Sequence, residues 1–421
     1  MKIFKRPFTK ILFLVLPVVL LFLESCDNDD KKAGLQINPN SHIVLIGNNL
    51  CSRMINFGHF ETELQMRFPA DSLFIRNMCD GGNTPGFRPH SSRNSPWAFP
   101  GAEKFHQNEH ANDSGSIGHF PTEDEWLTEL KADVILAFFG YNESFEGPDG
   151  LENYKAELRA FIAHTKNQKY NGKSAPQLAL ISPIAYEDLS SKMDLPNGEK
   201  ENKNLKLYTD AMREVAQQDS VLFVDAFAPT QKWITEESED ITNDGFQLND
   251  FGYKKLASLL ASEIFGGEDG NESNRLLVNE AVNEKNWFWH NDFKIPNGVH
   301  AYGRRYDPFG PDNYPFEIEK IRQMTAIRDT AIWEALHGEK MDLAMADSRT
   351  RTLPPVETNY KESDKNGTPK YLYGEDALNE INVAPGYKIE LFASEQEFPD
   401  LANPVQVSFD NKGRLWVGVM P

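Results

Sequence analysis

The sequence predicts an α/β fold, a parallel sheet with helices on both faces, from two observations. Five short apolar runs punctuate residues 42 to 266: Ile43 to Gly47, Ser72 to Met78, Ala132 to Gly140, Gln177 to Ile184 and Val221 to Phe227. Stretches of helical spacing and length lie between or after them, at Leu50 to Phe68, Leu151 to Lys166, Asn202 to Gln218 and Asp250 to Phe265. Strands that alternate with helices form parallel sheets, because each crossover needs a helix-sized connection.

The first run, Ile43-Val-Leu-Ile-Gly-Asn-Asn-Leu50, ends at Gly47 and passes into a helical pattern. Residues 48 and 49 therefore sit at the C-terminal edge of a first strand, where open α/β sheets place their chemistry. Three further blocks follow in order. Arg76-Asn-Met-Cys-Asp-Gly-Gly82 closes the second run, and Ala137-Phe-Phe-Gly-Tyr-Asn-Glu143 closes the third. Thr242-Asn-Asp-Gly-Phe-Gln-Leu-Asn-Asp-Phe-Gly-Tyr253 leads into the last helix.

Together these blocks resemble those of the SGNH (GDSL) hydrolases, which implies a flavodoxin-like three-layer sandwich over residues 42 to 266. The resemblance also assigns site residues. Gly82 falls at the oxyanion glycine, Gly140 and Asn142 carry the Gly-x-Asn block, and Asp244 fits the triad acid. Two positions depart from the family. Its first block is Gly-Asp-Ser where this chain has Gly47-Asn48-Asn49, and Gln247 stands where the general-base histidine belongs.

Those departures remove the proton-transfer half of the chemistry. A serine attacks once a histidine takes its proton, and an acid orients that histidine. The Asn49 amide is a very poor nucleophile, and Gln247 neither accepts nor releases a proton near neutral pH. The electrostatic half remains: the backbone N–H groups at Asn49 and Gly82, with the Asn142 side-chain amide, are expected to face a carbonyl oxygen. The residues predict a degenerate ester-hydrolase site that binds rather than cleaves. The alternatives are an active esterase with an unrecognised nucleophile and a spacer domain. Ser52 and Cys51 lie within reach but read as a helix-start polar residue and a small buried one. Asn297-Gly-Val-His300 looks like a displaced histidine block, but lacks the acid and the following Leu-Asn-x-x-Gly-Tyr.

A chain of 421 residues exceeds one ordinary domain. Its 43 Lys+Arg against 63 Asp+Glu, a net charge of −20, argue against nucleic acid or an anionic membrane surface as partner. Lys2, Lys5, Arg6 and Lys10 precede a 13-residue apolar run, Ile11 to Leu23. That falls short of the roughly 20 residues a bilayer span requires, so it reads as a signal-peptide core. Leu23-Glu-Ser-Cys26 resembles a bacterial lipobox, which makes Cys26 the lipid anchor of an exported cell-envelope protein, periplasmic or surface-exposed. Residues 27–41 then form a tether. An oxidising compartment permits a disulfide between Cys51 and Cys79, although sequence leaves the geometry open.

Asn83 to Glu125 is a long insertion rich in Gly, Pro, Ser and His, expected to shape the pocket mouth. His106 and His110 are spaced i, i+4, with His90, Glu103, Glu109 and His119 nearby. Gly and Pro interrupt the region, so these read as solvated loop histidines, and no metal or cofactor is expected. Residues 267–346 form a connector whose Trp287, Trp289, Tyr302 and Tyr306 either stack on a sugar or staple it to the preceding domain. It includes a helix from Glu317 to His337, with Arg328 interrupting its apolar face. Residues 347–380 read as a linker.

Within 381–421, Gly386 to Phe392 and Val405 to Val417 alternate and resemble the start of a truncated, sugar-dehydrogenase-like β-propeller, incomplete because a blade cannot bury its faces alone. The order of parts resembles bacterial multidomain lipoproteins that add a membrane-bound dehydrogenase propeller and a c-type haem domain. No Cys-x-x-Cys-His haem site occurs here. The expected ligand is a small-molecule ester or a carbohydrate, acylated or plain.

Overall fold

Five parallel strands make the sheet: β1 (His42–Gly47), β2 (Phe74–Asn77), β3 (Val134–Phe138), β4 (Gln177–Ile181) and β5 (Leu222–Val224). Their order is β2-β1-β3-β4-β5. Val44 of β1 pairs with Arg76 on one side and Ile135 on the other. The connections reverse direction between β1 and β3, and a crevice opens at such a switch point, beyond the carboxyl ends of the strands. The computed structural model describes residues 34–89, 95–106, 118–267, 270, 272–308, 310–355, 372–401 and 403–420. Cys26 and the signal segment, His90, Glu109 and His110 lie outside them. The chain divides into two compact units, Met1–Pro354 and Pro355–Pro421.

The helices of the first unit are α1 (Asn49–Ser52), α2 (His59–Arg67), α3 (Glu123–Glu129), α4 (Leu151–Lys166), α5 (Glu199–Gln218), α6 (Phe227–Glu236), α7 (Asp250–Phe265), α8 (Arg275–Phe293), α9 (Gly298–Ala301), α10 (Gly310–Leu336) and α11 (Leu343–Asp347). Successive side chains of a strand face opposite sides. Val44 and Ile46 thus enter a core built with α4 and α5, while Ile43 and Leu45 enter one built with α2 and α7. Burial on both faces explains why the sequence shows continuous apolar runs.

The helix expected over Leu50 to Phe68 is broken. A 3-10 turn spans Arg53–Asn56, and Gly58 follows with φ 69°. A Cβ at Gly58 would lie 2.6 Å from the Asn283 side-chain oxygen, so close docking of α8 and the left-handed turn both demand glycine there. Helices α3, α6 and α8 were not anticipated. For α3 the signal was local, a capping box in which Thr122 and Glu125 bond each other's backbone.

The connector is built into the first unit. Lys285 of α8, fully buried, places its Nζ 2.6 Å from Glu61 Oε2 of α2. Arg76 of β2 pairs with Asp329 of α10 at 2.5 Å. Trp289 is buried, and its indole N–H donates to the Asn77 carbonyl at 2.7 Å. It therefore staples the connector, whereas Trp287 is 61% exposed. Arg328, the break in the apolar face of α10, stacks over Phe288 and pairs with Asp347 and Glu284. Among the described residues no helix is long and apolar enough to cross a membrane.

The second unit contains α12 (Gly374–Asn379) and an antiparallel hairpin of β6 (Pro404–Phe409) and β7 (Leu415–Val419). Asp410 closes the hairpin turn by accepting the N–H groups of Lys412 and Arg414. The strand expected at Gly386 to Phe392 does not form: no strand pairs with it, and Tyr387 and Phe392 are exposed.

Candidate functional site

Gly47 ends β1 at φ 132°, and a Cβ there would lie 2.1 Å from the Phe138 carbonyl oxygen. Only glycine lets the chain press against β3 and turn outward. Asn48 then donates its backbone N–H to Phe138 at 3.0 Å, and its side-chain oxygen caps α1 by accepting from Leu50 at 3.3 Å. Asn49, the next residue, opens α1 over the strand ends.

There it shares a cavity with Gln247. Phe138, Phe139, Pro183 and Ile184 supply apolar walls, and the half-buried Tyr141 and Phe246 stack at 4.9 Å between ring centres. The cavity measures about 20 Å³, room for one water-sized group or the tip of a substituent. The two amides thus occupy one site, on the elements where the family resemblance places serine and histidine.

The candidate oxyanion donors are arranged differently. Both side-chain N–H groups of Asn142 are spent on backbone carbonyls, Gly81 at 3.0 Å and Asn83 at 2.9 Å. This amide ties the turn after β2 to the turn after β3 and is not available to a ligand. Gly82 is exposed and a Cβ there would meet nothing within 4 Å, whereas a Cβ at Gly81 would meet the Asn49 side-chain oxygen at 3.8 Å. Gly81, not Gly82, is the glycine that adjoins Asn49.

Asp244 lies outside the cavity wall. Its carboxylate accepts the backbone N–H groups of Gln247 at 2.8 Å and Phe246 at 3.3 Å, so it shapes the loop that presents Gln247. Glu187 secures the same loop by accepting from the backbone of Thr242 and Ile241 and from the Thr242 hydroxyl. Burial, and after it the Asp244 carboxylate, push the Tyr141 phenol above its ordinary range. Tyr253 donates its hydroxyl to the Leu50 carbonyl at 2.9 Å, and burial raises it as well.

The rescue candidates are occupied or elsewhere. Cys51 is joined to Cys79, Cα to Cα 5.8 Å, linking α1 to the end of β2. Neither Ser52 nor His300 lines the cavity. Ser182 does, but its buried hydroxyl donates to the Pro183 carbonyl and accepts from Ala226 and Phe227 at the start of α6.

The long insertion also departs from expectation, since none of its described residues lines the cavity. It packs over α4 instead, where buried Glu157 accepts from Thr84, from the Gly86 N–H and from His106 at 2.9 Å. That contact raises His106 above the usual imidazole range, so it is an anchored residue and not a solvated one. Among the described residues, no three His, Cys, Asp or Glu side chains converge to hold a metal ion.

Two residues on these elements were missed. Glu143 is buried, accepts the Gly140 N–H at 2.8 Å, and is pushed up to about 8 by burial and then by Glu157. Glu143 stands outside the cavity wall, and Arg53 lines it. Its spacing of four from Asn49 on a helical pattern was the signal that would have found it.

Comparison with known proteins bears on the two units separately. Residues 374–421 match a family described as a domain of unknown function, DUF7133. No curated protein matches the chain. Among solved structures, a gut microbial diltiazem-metabolizing enzyme is similar at 10% identity and TM-score 0.50, over 73% of this chain and 97% of its own. A catalytic mutant of Axe2, an acetylxylan esterase from Geobacillus stearothermophilus, aligns at 17% identity and TM-score 0.39, over 56% of this chain and 98% of its own. A GDSL-like lipase from Parabacteroides merdae aligns at 17% identity and TM-score 0.39, over 55% and 98%. The first unit therefore carries a parallel five-stranded α/β fold, similar to that of the diltiazem-metabolizing enzyme.

Proposed function

We propose that residues 42–266 form a catalytically silent, SGNH/GDSL-type ester-hydrolase-like domain that binds an acylated or plain carbohydrate. The observation that carries this reading is that Asn49 and Gln247 line one cavity. Neither amide supplies a nucleophile or a base. The cavity's apolar walls and small volume suit an acyl group or another single substituent. The stacked Tyr141 and Phe246 offer an apolar face for the sugar ring that carries it.

The protein is on this reading an exported lipoprotein, held to the membrane through Cys26. Residues 381–421 open a dehydrogenase-like propeller, a placement supported by the exposed apolar residues Val405, Val407 and Phe409 of β6. A spacer role is the second reading, favoured by the small cavity volume. A glycan array run beside an ester-substrate panel tests the proposal. Glycan binding that is lost in Gln247→Ala, without ester turnover, supports it. An array without any bound glycan overturns it in favour of the spacer.

A further inference from the structure

Arg53 is the only charged side chain among the described residues that line the cavity shared by Asn49 and Gln247. No ion pair with a described carboxylate engages it, and its Nε is buried without a hydrogen-bond partner. By contrast, Arg213, Arg275, Arg322 and Arg351 of the first unit each pair with a carboxylate. In a chain of net charge −20, an arginine facing a cavity without an acid stands apart.

A buried guanidinium N–H without an acceptor is costly, and a bound anion offsets that cost. Guanidinium groups match the planar, two-oxygen geometry of a carboxylate. The neighbouring amides of Asn49 and Gln247 add neutral N–H donors. The Asp244 carboxylate, which would repel such a ligand, does not line the cavity and accepts the backbone N–H groups of Phe246 and Gln247.

We propose that the cavity is a carboxylate site, with Arg53 as its charged anchor and Asn49 and Gln247 as flanking donors. The ligand class is an acidic sugar of the uronic type, its carboxylate in the cavity and its ring against Tyr141 and Phe246. This inference rests on the carbohydrate reading above and narrows it. A cavity of about 20 Å³ takes such a group only at the tip of the ligand.

The test is calorimetric titration of the full-length protein with galacturonate, galactose and acetate, repeated on Arg53→Gln and Gln247→Glu. Galacturonate is expected to bind at least tenfold tighter than galactose, and to lose at least tenfold in Arg53→Gln. Gln247→Glu sets a carboxylate beside Arg53 and is expected to abolish galacturonate binding even if Arg53→Gln fails to fold. Equal binding of galactose and galacturonate, unchanged in either variant, overturns the carboxylate site and leaves the carbohydrate reading standing. Binding of acetate alone, lost in Arg53→Gln, upholds the carboxylate site and overturns the carbohydrate reading. Binding of none of the three overturns both.

Discussion

The side-chain amide of Asn142 lies 3.0 Å from the carbonyl oxygen of Gly81, and its second N–H reaches Asn83. A residue that the family resemblance assigns to ligand binding is thus a brace between two loops. Asn142→Ala is expected to cost about 1–3 kcal/mol, the usual penalty for leaving such acceptors unpaired. Urea unfolding reads it directly. An unchanged midpoint, with ligand binding lost, would return Asn142 to the role of ligand donor.

The disulfide between Cys51 and Cys79 fastens the helix that carries Asn49 to the strand end that precedes Gly81. It closes a separation of 28 residues, for which chain entropy gives about 3–4 kcal/mol. Cys79→Ala should lower thermal stability by that order, and reductant should do the same to the wild type but not to the variant.

How much of this was legible beforehand follows from what each signal depends on. The sheet was visible because burial on both faces leaves continuous apolar runs, as along Val134–Phe138. The pairing of Asn49 with Gln247 in one cavity was anticipated because strand order brings block ends to one edge. The use of Asn142 was not, since nothing in Gly-x-Asn says which acceptor its amide will meet. The break at Gly58 was also hidden, because its cause is a contact with Asn283, far along the chain.

Glu143 predicts a pH effect on stability. Burial, and then Glu157, push its carboxyl from an ordinary value of 4.5 up to about 8. The folded state therefore holds a proton that the unfolded state releases between those values, and stability falls as pH rises through this window. Glu143→Gln keeps an acceptor for the Gly140 N–H without the charge. The variant should gain roughly 2–5 kcal/mol over wild type at pH 9 and little at pH 4, a contrast set by the linkage relation. Parallel pH–stability curves for the two proteins would contradict this.

Lys285 and Glu61 make the connector an integral part of the first unit. Removing one partner strands a buried charge, so Lys285→Met should destabilise by about 3–5 kcal/mol. Adding Glu61→Leu should recover most of that loss. A double variant no better than the single would show that the pair is not the linking interaction.

The claim that most depends on Asn49 and Gln247 is that the site does not cleave esters. Steady-state hydrolysis of p-nitrophenyl acetate by purified wild-type protein measures it. The account predicts a rate indistinguishable from the buffer blank, with a measurable rise only in the Asn49→Ser/Gln247→His double variant. Wild-type turnover in the ordinary enzyme range, about 1 s⁻¹ or faster, would contradict it.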